Sequence, residues 1–221
     1  MLFRSPADSP GQRIERVWDT LGMRATRSDS LTLEDCFVSD ALVCFELESF
    51  PRWFASGPAI YGGAMFAGIY LGVAVAAYQE AVRIVQGRLP PGYGQPLACH
   101  PDVRRRVAEM GVDLECGRLL VHRAAWLMDT QGYSFQANVA MLRAKHFVGE
   151  LVARTTRSAL GLGGAHALFK GQLLERLFRD GVSGSIMPPG GDFCLYALGL
   201  MDLGLNPEEV LPPLKPAQKR E

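Results

Sequence analysis

The chain has 221 residues, 48% hydrophobic and 21% charged, with 23 basic residues balanced by 23 acidic ones. That suits one large globular domain, or one and a half ordinary ones, and leaves no charge excess to recruit nucleic acid or an anionic membrane surface. The five cysteines (Cys36, Cys44, Cys99, Cys116, Cys194) form no C-x-x-C pair, and with the isolated His100, His122, His146 and His166 they give no metal-ligand spacing, so they read as reduced thiols of a cytoplasmic protein.

Arg4, Asp8 and Pro10 interrupt any apolar core that a signal peptide would need. Residues 1–53 read as β. Pro6, Pro10 and Gly11 are turn signals, and Leu31 to Val38 has the partial alternation of a strand before an exit loop at Asp40. So short a β region buries too little to stand as a sheet by itself. It reads as the end of a sheet, a remnant.

From about Ala55 the pattern turns helical. Roughly 27 uncharged residues separate Arg52 from Glu80, long enough to span a bilayer, but they are rich in Gly and Ala and run on into an amphipathic stretch with Glu80 and Arg83. Burial in a helical assembly is the expectation, with no membrane. This first helix, Ala55 to about Gln86, ends at Gly87, and a Pro- and Gly-rich loop covers Arg88 to Ala98. A second helix runs from Pro101 to about Thr130, with Val103, Val107, Met110, Leu114, Leu120 and Val121 at helical spacing. Gly132 separates it from a third, Phe135 to about Leu160.

Gly161, Gly163 and Gly164 then break the helical pattern. Alone such a run is an ordinary helix C-cap. If another helix begins within it, free N–H groups there could receive a phosphate. A fourth helix is expected over Ala167 to Phe178, and a fifth from Pro188 to Leu203. The whole is mainly α, an up-down helical bundle over 54–205 preceded by the β remnant of 1–53 and followed by a flexible tail, 206–221.

Three segments, in this order, resemble the acyl-CoA dehydrogenase superfamily. Trp18 to Ser28 with Leu33 to Val38 looks like the end of its middle β domain. Arg88 with Gly94-Gln95-Pro96-Leu97 looks like the R…FG-x-P loop after the first long helix of its C-terminal domain. Gly163-Gly164 with Leu174-Glu175-Arg176 and Arg179-Asp180 looks like its GG…R…RD run. The resemblance implies FAD lying between the β domain and the bundle, with its pyrophosphate contacted across a dimer by Arg88 and by Gly163 and Gly164. It also implies self-association as a dimer or tetramer, and acyl-CoA or a related small molecule as substrate.

The departures are as informative. Most relatives place a catalytic glutamate in the loop after R-D, where this chain has Pro188; a few place it early in the first helix, where this chain has Gly62. Neither can take the substrate's α-proton. Asp192 is the nearest carboxylate, expected to cap the following helix or touch flavin, so no catalytic residue is assigned. The N-terminal helical domain and most of the β domain have no counterpart here, which leaves half a flavin site and suggests a partner chain that supplies the rest.

Three functions compete: a dehydrogenase-like flavin oxidoreductase subunit, a flavin-dependent monooxygenase-type relative, and a non-catalytic structural or regulatory module. The position of the base separates the first two, and bound flavin separates both from the third.

Overall fold

In the computed structural model, residues 2–45 and 57–205 are described. The N-terminal part holds two small antiparallel pairs. β1 (Leu2–Phe3) pairs with β4 (Val43–Phe45). β2 (Gln12–Glu15) pairs with β3 (Ser30–Leu33), with Gln12 opposite Leu33 and Glu15 opposite Ser30. The strand expected to reach Val38 stops at Leu33, because Asp35 takes a left-handed backbone (φ +49°) that no extended ladder admits.

Five α-helices follow among the described residues: α1 (Gly57–Gly87), α2 (Pro101–Gln131), α3 (Phe135–Gly163), α4 (Leu173–Gly181) and α5 (Gly191–Asp202). Their starts are chemically marked. The His100 side chain accepts from Asp102 N–H ahead of α2, with Pro101 in the first turn, and Ser134 accepts from Ala137 N–H ahead of α3.

Three expected boundaries move. α3 continues through Gly161 and Gly163, and only Gly164 leaves the helix. The expected fourth helix is divided: a single 3-10 turn covers Ala165–Leu168, Phe169 and Gln172 are extended, and α4 proper begins at Leu173. α5 starts at Gly191 rather than Pro188, since a residue followed by proline is pushed out of helical geometry and Pro188 precedes Pro189. The beginning of the first predicted helix (Ala55) and the predicted tail (206–221) lie outside the described residues.

α3 is the hub of the bundle, packed against α1, α2, α4 and α5. It is buried almost all round, including Met141, Leu142, Val148, Leu151 and Val152. α1 instead buries one stripe, Ala67, Tyr70, Ala74, Ala77, Ala81 and Val85, at three- and four-residue spacing. Small residues in that stripe let α1 lie close along α3. Gly62–Gly87 is long and apolar enough to cross a bilayer by composition. Its outer face keeps Met65 and Ile69 exposed.

The β segment is fastened to the bundle through α4. Met23 N–H donates to Asp180 Oδ1 (2.7 Å), and Arg179 Nη1 donates to Leu21 O (2.9 Å) while its other edge grips Glu175. Gly22 is needed between them, since a Cβ there would lie 2.0 Å from Arg179 O. The Arg179-Asp180 pair is thus a clamp between the two parts of the chain.

Candidate functional site

The end of α1 and the end of α3 meet. Arg88 N–H donates to Ile84 O (2.9 Å), adding a last turn to α1, and Leu97 N–H donates to Arg88 O (2.8 Å), closing the Pro-rich loop. From there the Arg88 side chain reaches α3's C-terminus, where Nη1 lies 3.4 Å from Gly163 O. Gly164 follows with φ +68°, a conformation that L side chains rarely adopt, and a Cβ on it would sit 2.7 Å from Arg88 Nη1. Two requirements, backbone sign and space for a guanidinium, coincide on this one glycine.

Beside this contact opens a cleft of ≈ 380 Å³. Glu80, Arg83, Arg88, Gly163, His166 and Gln172 supply its polar lining, and Ile84, Ala167 and Leu174 its apolar floor. The charges sort themselves. Glu80 and Arg83 form a two-pronged fork (Nε–Oε2 2.7 Å, Nη2–Oε1 2.6 Å). The hydrogen bonds from Arg83 hold the Glu80 carboxyl below its ordinary value, and Glu80 holds Arg83 above its own. The Arg88 guanidinium faces a carbonyl instead, so its positive charge remains available to an anion.

Three of the four residues singled out from sequence therefore come together: Arg88, Gly163 and Gly164. Asp192 does not join them. It is exposed in the first turn of α5, whose N-cap is Gly190. Its neighbour Gly191 lies against His146, midway along α3, with the site of a Cβ 3.5 Å from His146 Nδ1. At 1.5 Å per residue, that point is roughly 25 Å along α3 from Gly163. The carboxylate still sits favourably at a helix N-terminus.

Sequence reasoning missed Glu80, Arg83 and His166. A signal existed for the first two: Glu80, Ile84 and Arg88 recur every fourth residue and Arg83 stands three after Glu80, so all four lie on one side of the end of α1. The glycine run ends α3 as an ordinary C-cap, and no α-helix begins within it. The four-residue 3-10 turn Ala165–Leu168 stands there, too short for an aligned helix dipole.

A second polar group lies deep in the bundle. Lys145, 1% exposed, donates Nζ–H to Gly184 O (2.8 Å) and stands 5.7 Å from the Tyr70 ring centroid. The Tyr70 hydroxyl has no hydrogen-bond partner. Burial lowers the Lys145 pKa. Burial, helped by the charge of Asp180, raises Tyr70 to about 12. Burial also raises Cys194 to about 11 against the opposing pull of Lys145, which keeps that thiol protonated and unreactive near neutrality. Among the described residues no three His, Cys, Asp or Glu side chains group closely enough to hold a metal.

Comparison with known proteins gives this arrangement a context. The family model for the acyl-CoA dehydrogenase C-terminal domain matches residues 61–188. A Bacillus subtilis (strain 168) protein named as an acyl-CoA dehydrogenase, YdbM, is 30% identical over 203 residues, which cover 89% of this chain and 51% of that one. A glutaryl-coenzyme A dehydrogenase in complex with glutaryl-CoA has the same fold over 92% of this chain and 50% of its own (TM-score 0.81, 21% identity). So does the dibenzothiophene monooxygenase TdsC of Paenibacillus sp. A11-2, over 90% of this chain and 55% of its own (TM-score 0.77, 24% identity). The chain spans about half the length of the relatives it matches. With the C-terminal domain model matched over more than half of its residues, the chain belongs to the acyl-CoA dehydrogenase family.

Proposed function

We propose that this chain acts as the C-terminal, FAD-contacting and self-associating part of an acyl-CoA dehydrogenase-like flavin oxidoreductase. One observation carries the reading: the Arg88 guanidinium is held against the Gly163-Gly164 turn beside an open cleft. A pyrophosphate requires a fixed cation able to offer paired N–H groups, and backbone free of side chains. The residues present fit that group. Gly164 leaves open the space a Cβ would take from the guanidinium, and Glu80, the one carboxylate among the described residues lining the cleft, is already engaged by Arg83.

In this reading Arg88 binds and orients the pyrophosphate, Gly163 and Gly164 allow its close approach, and the Glu80–Arg83 fork stiffens the wall beneath it. FAD, when bound, supplies the hydride-accepting ring. Acyl-CoA or a related thioester is the proposed substrate class, the cytoplasm the proposed location, and a partner chain the proposed source of the remaining domains.

A visible absorption spectrum of the purified chain, taken with its native mass, tests this. Flavin absorption in an oligomer is the expected result for wild type. Arg88→Ala should then weaken flavin binding by the 1.5–3 kcal/mol typical of a charged hydrogen bond, about ten- to hundredfold. Equal affinity in the variant would remove Arg88 from the site. A colourless wild-type protein that pairs with a full-length relative would favour the non-catalytic module instead.

Pro188 supports a second reading. It is exposed in the α4–α5 loop, at the position where the resemblance leads one to expect the proton-abstracting glutamate. A relative without that base suits monooxygenase chemistry, in which reduced flavin meets oxygen. Oxygen consumption with reduced flavin and no enoyl-CoA formation would select it; the reverse pattern would restore the dehydrogenase.

A further inference from the structure

A second hollow opens on the far side of α1 from the Arg88 cleft, and the two share no lining residue. Glu80, Arg83 and Ile84 face the cleft. Tyr78, Val82 and Gln86, each one turn from the next, lie on the other side of the helix and wall a space of ≈ 260 Å³. Val107, Ala108 and Gly111 of α2 form the opposite wall, and the buried Val85 and Val103 form its base. The sequence makes the space, because Ala108 and Gly111 put little or no side chain where the two helices leave room for more. A Cβ on Gly111 would have only the Tyr78 hydroxyl near it, at 3.7 Å.

The charge at the rim decides what such a hollow takes. The first turn of α2 carries three consecutive arginines. Arg105 is gripped by Asp102 and Glu109, and Arg106 donates to Ser158 O (2.8 Å). Arg104 lines the hollow, and its guanidinium has no partner among the described residues. One turn away along its own helix stand His100, Pro101, Val107 and Ala108, which offer no carboxylate, and none lines the hollow. An apolar pocket with one free cation at its edge is complementary to a small molecule with an apolar body and a single negative charge. We propose that this hollow binds a small aliphatic or aryl carboxylate, its body between Val82 and Val107 and its carboxylate at Arg104. A bare inorganic anion would leave the valines uncovered, and a neutral alcohol would leave Arg104 unpaired. A single arginine matches the one charge of a carboxylate better than the two of a phosphate monoester. The space lies just below the roughly 300–1,000 Å³ of sites for drug-sized ligands, so its occupant has on the order of ten heavy atoms. The inference is independent of flavin, because nothing in it uses the Arg88 cleft.

Calorimetric titration of the full 221-residue chain with hexanoate, 1-hexanol and hexylammonium tests it. Hexanoate should bind once per chain in the millimolar range, as its size allows. It should exceed the alcohol by about five- to tenfold, between the worth of an exposed ion pair and that of a charge-assisted hydrogen bond, with hexylammonium weakest. Arg104→Gln should erase the preference for hexanoate over hexanol while hexanol still binds. Gly111→Leu should remove both by filling the space. Its side chain starts in the open, and leucine is a better helix former than glycine, so helix content by circular dichroism should hold. The proposal is overturned if wild type binds hexanoate no better than hexanol, or if Gly111→Leu keeps full binding. Binding that vanishes with Arg88→Ala would put the anion in the other cleft and overturn it as well. So would absent hexanoate binding with a lower native mass for Gly111→Leu, which would make the hollow a contact between chains. A colourless protein that shows the expected order of ligands would discard the flavin reading and leave this one standing.

Discussion

Gly164 shows how a single residue in this bundle answers to more than one constraint. At Gly164, φ +68° and a would-be Cβ 2.7 Å from Arg88 Nη1 act together. Gly164→Ala should cost roughly 1–3 kcal/mol, because φ +68° with ψ −166° is a conformation essentially confined to glycine, and should also displace the guanidinium. Chemical denaturation and flavin titration on one preparation would show both losses; a stable variant with unchanged flavin binding would refute the coincidence. Tyr70 is the opposite case, fully buried with an unpartnered hydroxyl. Tyr70→Phe should stabilise the chain by about 1 kcal/mol at neutral pH, since a buried polar group without a partner is a net cost.

The titration of Tyr70 gives a second measure. Its pKa rises from 10.0 unfolded to about 12 folded, so in that window the folded chain keeps a proton that the unfolded chain has lost. This contribution is whole below pH 10 and is lost as pH climbs through 12. Cys194 acts with the same sign from pH 9.0 to about 11. Lys145, with its pKa lowered by burial, acts with the opposite sign and favours the folded state as pH rises toward 10.5. Denaturation midpoints at neutral pH and near pH 11 should therefore diverge between wild type and Tyr70→Phe, with the variant losing less stability on the alkaline side. Parallel curves would show that the hydroxyl finds a partner in solution.

Among the elements, α4 has the most to do for its length. Nine residues carry a buried pair, Leu174 and Leu177, facing the bundle, and on the other side the Arg179-Asp180 clamp that holds Leu21 to Met23. Asp180→Ala should release the Met23 amide at a cost of about 1.5 kcal/mol, the lower end for a charge-assisted hydrogen bond at a part-exposed site. Gly22→Ala should displace the segment more completely, because a Cβ 2.0 Å from a backbone oxygen cannot be relieved by a rotamer change. Hydrogen exchange over residues 18–30 would rise in both while α1–α3 keep their protection. Uniform loss of protection would mean instead that the β segment and the bundle unfold as one unit. The start of α2 and the break between α2 and α3 were legible in the chain, because Pro101 suits a first helical turn and Gly132 ends a helix, both by local chemistry. The start of α4 was misplaced, because Ala167, Leu168 and Lys170 are good helix formers while the interruption sits at Gly171, which takes φ +92°.

For the molecule as a whole, four of the described α-helices pack about α3, and the outer side of α2 (Val112, Leu119, Trp126) and the side of α1 bearing Met65 and Ile69 leave large apolar side chains exposed. A chain that keeps such faces should be found in an assembly, and the native mass measured with the visible spectrum is the observation that joins oligomer to cofactor. Mass without colour would assign the bundle to assembly alone. Colour in a monomer would show that the cleft by itself retains flavin.

By itself the sequence determined what depends on local chemistry and periodicity: the long helices, the loop after Gly87, the glycines at the end of α3 and the motif order that names the family. Each is written in neighbours along the chain. The tertiary structure alone decided what depends on distant parts meeting. It brought Arg88 to Gly163 across 75 positions of sequence and left Asp192 well down α3 from them. It put Arg179-Asp180 to use as a clamp, and placed Lys145 beneath Tyr70 in a core too dry for either to ionise normally. Spacing can show that a residue lies on a given face of its helix; which other element comes to face it is set by packing.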